Sequence, residues 1–232
     1  MSTVQGGQGN IVTNGLVLNL DAANPRSYPQ PYNGTDWQNL VPVSGSISGS
    51  LANGVGYTGS NFGALTFDGV DDYIPLSNPS SSYIQAFTIQ SWIAYEPTSA
   101  GYHSIVGNEN YSSATGWYYG VHNLNTNQIG YRIWKTNGSY YNWNGSLHLT
   151  NGTYVMYTLT VDAQSSINAY SNTTLLQSQV ADSTPLKYAN ASPWYALGGT
   201  KGRAASLQFY NRALNASEIL QNFNATRARF GV

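Results

Sequence analysis

Acid–base chemistry has few places to sit in this chain. Ten Asp and Glu, three His and no Cys are spread over 232 residues. Sugar hydrolysis with retention needs two carboxyls about 5 Å apart, one of them with a raised pKa. Glu96 and Glu109 are the natural pair to test, but thirteen positions and a turn-rich stretch separate them. Neither has an acidic residue at i±2, where a strand would bring it onto the same face. Asp71 and Asp72 are adjacent, so a strand would point them in opposite directions. His103, His122 and His148 have no nucleophile motif beside them, and the sequence has no G-x-S-x-G. Gly198-Gly-Thr-Lys-Gly202 lacks both the spacing and the following helix of a phosphate-binding loop. Without cysteine there is no thiol nucleophile, disulfide or zinc–thiolate site. The chain is expected to be a non-enzyme.

Two binding chemistries survive that elimination. Asp68, Asp71 and Asp72 form the carboxylate cluster of the sequence, and Ca²⁺ takes about six to eight oxygens from carboxylates and carbonyls. The same residues also read as a turn, since Asp68-Gly69 lets a carboxylate bond its own backbone. The turn is the expectation, with calcium as its alternative. The second chemistry is stacking. Between Tyr102 and Trp143 aromatic residues interleave with His103, His122 and with Asn108, Asn110, Asn123, Asn125 and Asn142. Trp117, Tyr119, Trp134, Tyr140, Tyr141 and Trp143 are the candidate contacts for a glycan or a partner. Aromatic faces stack on the C–H surfaces of sugars while amides bond hydroxyls. Half the aromatics of any strand must face a core, and Tyr and Trp also favour protein interfaces. Core, protein interface and glycan therefore all stay open. Tyr140-Tyr141-Asn142-Trp143 reads as loop-borne, between Asn137-Gly138 and Asn144-Gly145.

The elements that must position these side chains are strands. Leu16, Leu18 and Leu20 share one face of a short alternating run, and 86–95 (AFTIQSWIAY) alternates over ten residues. Further strands are expected at 64–67, 73–76, 104–107, 117–122, 128–135, 154–162, 167–171 and 204–210. Six Asn-Gly pairs and one Asp-Gly supply residues that accept positive φ, as hairpins require. One helix is expected near the C-terminus, capped by Asn215 with Glu218 three residues on, and with Ile219, Leu220 and Phe223 on one face. Arg227 and Arg229 would sit at its C-terminal end, where the helix dipole favours cations.

Composition narrows the partners. Charged residues make up 8% of the chain and the net charge is −1, so nothing attracts a nucleic acid or an anionic membrane electrostatically. Polarity comes from 82 Asn, Gln, Ser and Thr and from 19 Tyr, a surface that bonds without charge and tolerates salt. No apolar run is long enough to span a bilayer. The start, MSTVQGGQGN, lacks the basic and apolar regions of a secretory signal, so synthesis in a cytosol is expected. Residues 1–14 have little to bury and read as an N-terminal arm ahead of one domain over residues 15–232, either folded back or docked on a neighbour.

Four stretches then acquire a family look: Gly15-Leu-Val-Leu-Asn-Leu-Asp21 with Pro25 and Tyr28; Leu65-Thr-Phe-Asp68-Gly-Val-Asp71-Asp72-Tyr73; Phe87-Thr-Ile-Gln-Ser-Trp92-Ile; and Phe209-Tyr-Asn-Arg212-Ala-Leu-Asn-Ala-Ser-Glu218-Ile-Leu-Gln-Asn222-Phe. Together they resemble laminin-G-like, concanavalin A-like domains, of the variant found in virion proteins of tailed bacteriophages, marine and cyanobacterial ones above all. The resemblance implies an all-β fold: a two-sheet antiparallel jelly-roll sandwich with one short C-terminal helix. Relatives of this type sometimes hold Ca²⁺ at a rim. It further implies a virion structural protein, a capsid decoration or other surface appendage, made in the host cytoplasm and carried on the particle. The arm would join it to capsid or tail proteins, and a homo-oligomer is expected. Many copies would multiply weak contacts with host surface glycans. The alternative is a free or cell-surface carbohydrate-binding lectin module, which would be extracellular.

Overall fold

The computed structural model describes residues 10–29, 33–42, 48–76, 85–96, 103–123, 128–148, 152–187 and 194–232, without the side chains of 122, 123 and 146–148. Residues 1–9 of the expected arm, Tyr102, Asn125 and the side chains of His122, Asn123 and His148 therefore lie outside the description.

Period-two alternation sorts the chain into two antiparallel sheets, the expected sandwich. One sheet runs β14 (Thr174–Val180), β13 (Ser166–Ser171), β12 (Tyr154–Asp162), β7 (Ala86–Tyr95), β16 (Lys201–Tyr210), β5 (Ala64–Asp68) and β4 (Gly56–Thr58), and β1 (Leu16–Asp21) pairs with the rest of β16. The other runs β11 (Tyr140–His148), β10 (Gln128–Trp134), β9 (Trp117–Asn123), β8 (His103–Gly107), β15 (Trp194–Ala196), β6 (Ile74–Leu76), β3 (Gly49–Ser50) and β2 (Asp36–Trp37). Inward-facing side chains of both fill the space between them. Phe87 and Phe209 of the first sheet lie 5.7 Å apart, and Trp117 and Trp194 of the second close on them edge-to-face or tilted at 5.0 Å. Aromatics bury about 150–250 Å² each, so this quartet is a large share of the cross-sheet contact.

A second apolar layer covers the outer face of the first sheet. Helix α1 (Ala216–Thr226) starts with a capping box: Asn215 Oδ1 accepts the Glu218 N–H and Glu218 Oε2 accepts the Asn215 N–H, both at 3.0 Å. Ile219, Asn222 and Ala225 face the sheet, whereas Leu220 is 47% exposed. The expected face is thus rotated: 219, 222, 223 and 226 follow the helical period and Leu220 falls beside them. Trp92 stacks on Phe223 at 5.7 Å and on Phe230 at 4.2 Å, and its Nε1 donates to Thr226 Oγ1. Buried Asn222 bonds three ways, to Gln90 Oε1, to the Tyr210 hydroxyl and from the Val12 N–H. Beyond the helix, Arg229 does more than answer the dipole. It pairs with Asp21 at 2.7 Å and donates to the Asn61 and Gly63 carbonyls.

The described end of the expected arm rests on this layer. Val12 is buried, the Tyr210 hydroxyl donates to its carbonyl, and Gln221 Nε2 donates to that of Asn10. One strand contradicts the sequence reading: Tyr140–Trp143 is the start of β11, not a loop. The Asn137-Gly138 turn that precedes it is real, closed by the Lys135 N–H on the Ser139 carbonyl. Asn144-Gly145 is instead inside the strand, where pairing with β10 slips register and a Cβ on Gly145 would lie 2.2 Å from the Ile129 carbonyl. Only glycine admits that approach.

Candidate functional site

Helix α1 lies over one outer face; on the outer face of the β11–β10–β9–β8 sheet Tyr118 and Trp134 are buried, and exposure concentrates at Tyr140 and Asn144 of β11 and at Tyr111. Alternation sends Ile129, Tyr131 and Ile133 of β10 into the core and leaves Gly130, Arg132 and Trp134 outside. Cross-strand register aligns Tyr118, Arg132 and Asn142 in one row and Gly120, Gly130 and Asn144 in the next. At the head of β9 a tight loop, closed by the reciprocal pair Asn110 and Thr115, carries Glu109 and Tyr111 over the same face.

These groups lock one another. Arg132 Nη1 contacts both Glu109 oxygens, at 3.1 and 3.4 Å, and Trp134 Nε1 donates to Oε1 at 2.9 Å. The guanidinium carbon lies 5.1 Å from the Tyr111 ring centre and 5.5 Å from that of Tyr140. Trp134 meets both tyrosines edge-on, at 5.8 and 4.8 Å. Arg132 and Glu109 keep only 14% and 16% of their side-chain surface, while Tyr111 and Tyr140 are 66% and 46% exposed. The result is a platform: a neutralised ion pair and an indole beneath, two solvent-facing phenol rings above, with Asn142 and Asn144 bonded side by side along the strand at 3.3 Å. Such a surface can stack flat apolar faces and exchange uncharged hydrogen bonds.

The six aromatics singled out in the sequence do not share this face. Trp134 and Tyr140 belong to it. Trp117, Tyr119 and Tyr141 point inward and are buried, which corrects them to core residues. Strand parity is the reason: they sit at odd steps from the outward row. Tyr119 hydrogen-bonds the Thr158 carbonyl across the core, and burial pushes its phenol pKa up. Tyr141 bonds Asp182 at the sandwich margin. Trp143 is half-buried, packing on the core 5.9 Å from Tyr131. Arg132, Glu109 and Tyr111 were not on that list, yet parity counted from β10 would have found Arg132. Glu109, weighed earlier only as a hydrolytic carboxylate, is spent on Arg132 and Trp134. His103 is packed, and burial holds its imidazole pKa below the usual range.

The acidic cluster has another occupation. The Asp68, Asp71 and Asp72 carboxylates come within 4.8 Å of one another. Asp72 Oδ2 accepts the Asp68 N–H at 2.9 Å, Asp68 Oδ1 accepts the Val70 N–H at 2.8 Å, and Asn53 holds the Asp71 carbonyl. Burial raises the Asp72 carboxyl; the Asp68 amide opposes this and the charges of Asp68 and Asp71 add to it. Two of the three carboxylates thus have an oxygen on a backbone amide, the bonding of the turn from β5 to β6.

Comparison with known proteins agrees with the fold. The family described as the concanavalin A-like lectin/glucanases superfamily matches residues 68–220, more than half of the chain. The binding domain of Paraclostridial Mosquitocidal Protein 1 superposes with a TM-score of 0.69 at 18% identity, over 90% of this chain and 52% of that one. The botulinum neurotoxin serotype D binding domain gives 0.67 at 12%, over 90% and 51%. Domain 4 of AbnA, a GH43 extracellular arabinanase from Geobacillus stearothermophilus solved in complex with arabinotriose, gives 0.63 at 14%, over 91% and 98%. The chain spans about half the length of the toxin domains, and at these identities the likeness is one of fold. No curated protein matches. By its sandwich and by that family match, the chain belongs to the concanavalin A-like lectin/glucanases superfamily.

Proposed function

We propose that the chain is a non-catalytic binding module that recognises carbohydrate on the outer face of the β11–β10–β9–β8 sheet, with Tyr111 and Tyr140 as stacking surfaces and Asn142 and Asn144 as hydrogen-bonding rim. The observation that carries this reading is the pair of exposed rings held over the Arg132–Glu109 ion pair, on the outer face of the sheet opposite the one α1 packs on. Holding those rings in place before the ligand arrives lowers the ordering cost of binding. Support comes from the arabinanase domain of like fold solved with arabinotriose, and from toxin neighbours named as binding domains. Neutral sugars suit the platform because its one cation is already paired. Titration of the full chain against an array of neutral oligosaccharides, arabinan fragments among them, tests it. Saturable binding that falls about tenfold in Tyr140→Ala is expected, and an array silent at millimolar sugar would overturn it.

The setting we propose is the surface of a tailed-phage particle, as a capsid decoration or appendage anchored through residues 1–14. That rests on the sequence motifs alone. Gold-labelled antibody on purified particles decides it: regular labelling supports the setting, and unlabelled particles remove it. The second reading is a free or cell-surface carbohydrate-binding lectin module, supported by the sugar in the arabinanase domain of like fold.

A further inference from the structure

Sheet edges carry rows of unpaired N–H and C=O groups, and proteins close them by shortening, covering or charging them. This sandwich closes its edges unevenly. At one side the terminal strands β2 and β4 have two and three residues. The free edge of β1 is covered: Asn39 accepts the Asn19 N–H and donates to the Val17 carbonyl, Leu40 N–H bonds the Asn19 carbonyl, and Ser27 takes the Asp21 N–H. At the other side β14 is seven residues long and has no pairing partner beyond β13 among the described residues. Of the usual protections it has a bulge at Leu176, where the register against β13 shifts between Ala169 and Tyr170, and residues 177–180 beyond it run in regular register. No charged residue occurs from Ala163 to Ala181, and the strand contains no proline. It exposes apolar side chains instead: Val180 is 82% exposed and Leu175 50%. In the opposite layer β11, also terminal, lies beside it, so among the described residues both sheets end at this flank.

We propose that β14 is a self-association edge, pairing antiparallel with β14 of a second copy of this chain. A second copy is the fitting partner because an antiparallel strand edge is self-complementary about a two-fold axis. An uncharged hairpin also offers a partner of opposite charge nothing to recognise, and two copies nothing to repel. The two-fold of an antiparallel pair is perpendicular to the sheet, so both copies turn their platform faces to the same side. A dimer would then present two platforms to one surface, with the gain of linked binding. That consequence rests on the carbohydrate reading; the dimer itself does not.

Sedimentation velocity of the full chain over a micromolar concentration series tests the proposal, with amide exchange of residues 174–180 as a second readout. A reversible dimer is expected, with exchange at β14 slowing as concentration rises. Val180→Lys and Ser178→Lys each put a charge on the pairing strand, the protection that natural edges use, and should raise the dissociation constant by about tenfold or more. Val70→Lys, equally exposed at the turn after β5, should leave it unchanged. A chain that stays monomeric throughout, or a dimer that both β14 variants leave intact, overturns it. Loss of sugar binding with the dimer preserved would count against the platform and not against this edge.

Discussion

Trp134 Nε1 donates to the Glu109 oxygen that Arg132 Nη1 also holds. One carboxylate thereby fixes two side chains on adjacent outward positions of β10, and each of them supports both tyrosine rings. The platform is a unit, and its parts should fail together.

Replacing Glu109 with Ala leaves a largely buried guanidinium and an indole N–H without their acceptor. The cost should be about 1–3 kcal/mol of stability, read as a lower urea midpoint at unchanged slope. Glu109→Gln keeps an acceptor for Trp134 and should cost less. Equal effects would mean the indole contact contributes nothing.

Tyr140 and Trp143, three residues apart on β11, should separate binding from folding. Tyr140→Ala removes an exposed ring: stability should stay within about 0.5–1 kcal/mol, while sugar binding falls about tenfold. Trp143→Ala opens a gap against the core and should cost about 2–3 kcal/mol, below the range for fully buried tryptophan. Thermal unfolding beside sugar titration of both variants checks the split, and the reverse pattern would remove Tyr140 from the site.

Asp182 should give the fold part of its acid sensitivity. Hydrogen bonds from Lys135, then Tyr141 and Thr184, hold its carboxyl well below the usual aspartate range. A depressed carboxyl stabilises the fold fully above the unfolded value of about 3.9, and the contribution is lost as pH falls through the folded one. Glu218, lowered chiefly by Arg212, acts in the same direction, whereas Asp72, raised by burial, acts against it. Asp182→Asn should flatten the fall in stability below that range and leave its slope at neutral pH unchanged. Denaturant midpoints across the acid limb test this, and an unaltered acid slope would remove the assignment.

Calcium should leave the melting temperature where it is. Asp72→Ala should lower it with or without the ion, because the Asp68 N–H loses its acceptor; about 1–2 kcal/mol is expected. A calcium-dependent rise in melting temperature that Asp68→Ala abolishes would make the turn a metal site after all.

Asn222 joins helix, sheet and the described end of the N-terminal segment. Asn222→Ala would leave Gln90 Oε1 without that donor and the Val12 N–H without its acceptor in an apolar layer, while Tyr210 keeps its bond to the Val12 carbonyl; about 2 kcal/mol of stability should be lost. Faster amide exchange at Val12 should accompany it. Unchanged exchange there would mean the segment is held by other contacts.

Much was legible without coordinates wherever a local rule decides. The strands at 86–95 and 154–162 announce themselves by length and alternation, and the helix start by its capping box, because cap and period are set within a few residues. β14 and β15 were not anticipated. TLLQSQV alternates weakly, being an edge strand with half-exposed positions, and Trp194–Ala196 is too short for a period to show. Tyr140–Trp143 was misread since two Asn-Gly pairs look alike in sequence, although one closes a hairpin and the other fills a bulge.

The sequence by itself determined the fold class, the family and the want of charge, since each is a sum over many residues or a motif of adjacent ones. Only the tertiary structure decided which aromatics face solvent. One residue of register moves a side chain from core to surface, and although β9, β10 and β11 pair as consecutive hairpins, which of their faces turns inward is set by packing on distant strands, as Trp117 does on Phe87 and Tyr119 on Thr158. The same holds for the outer faces: α1, more than a hundred residues from Trp92 in sequence, folds back to cover it on the other sheet.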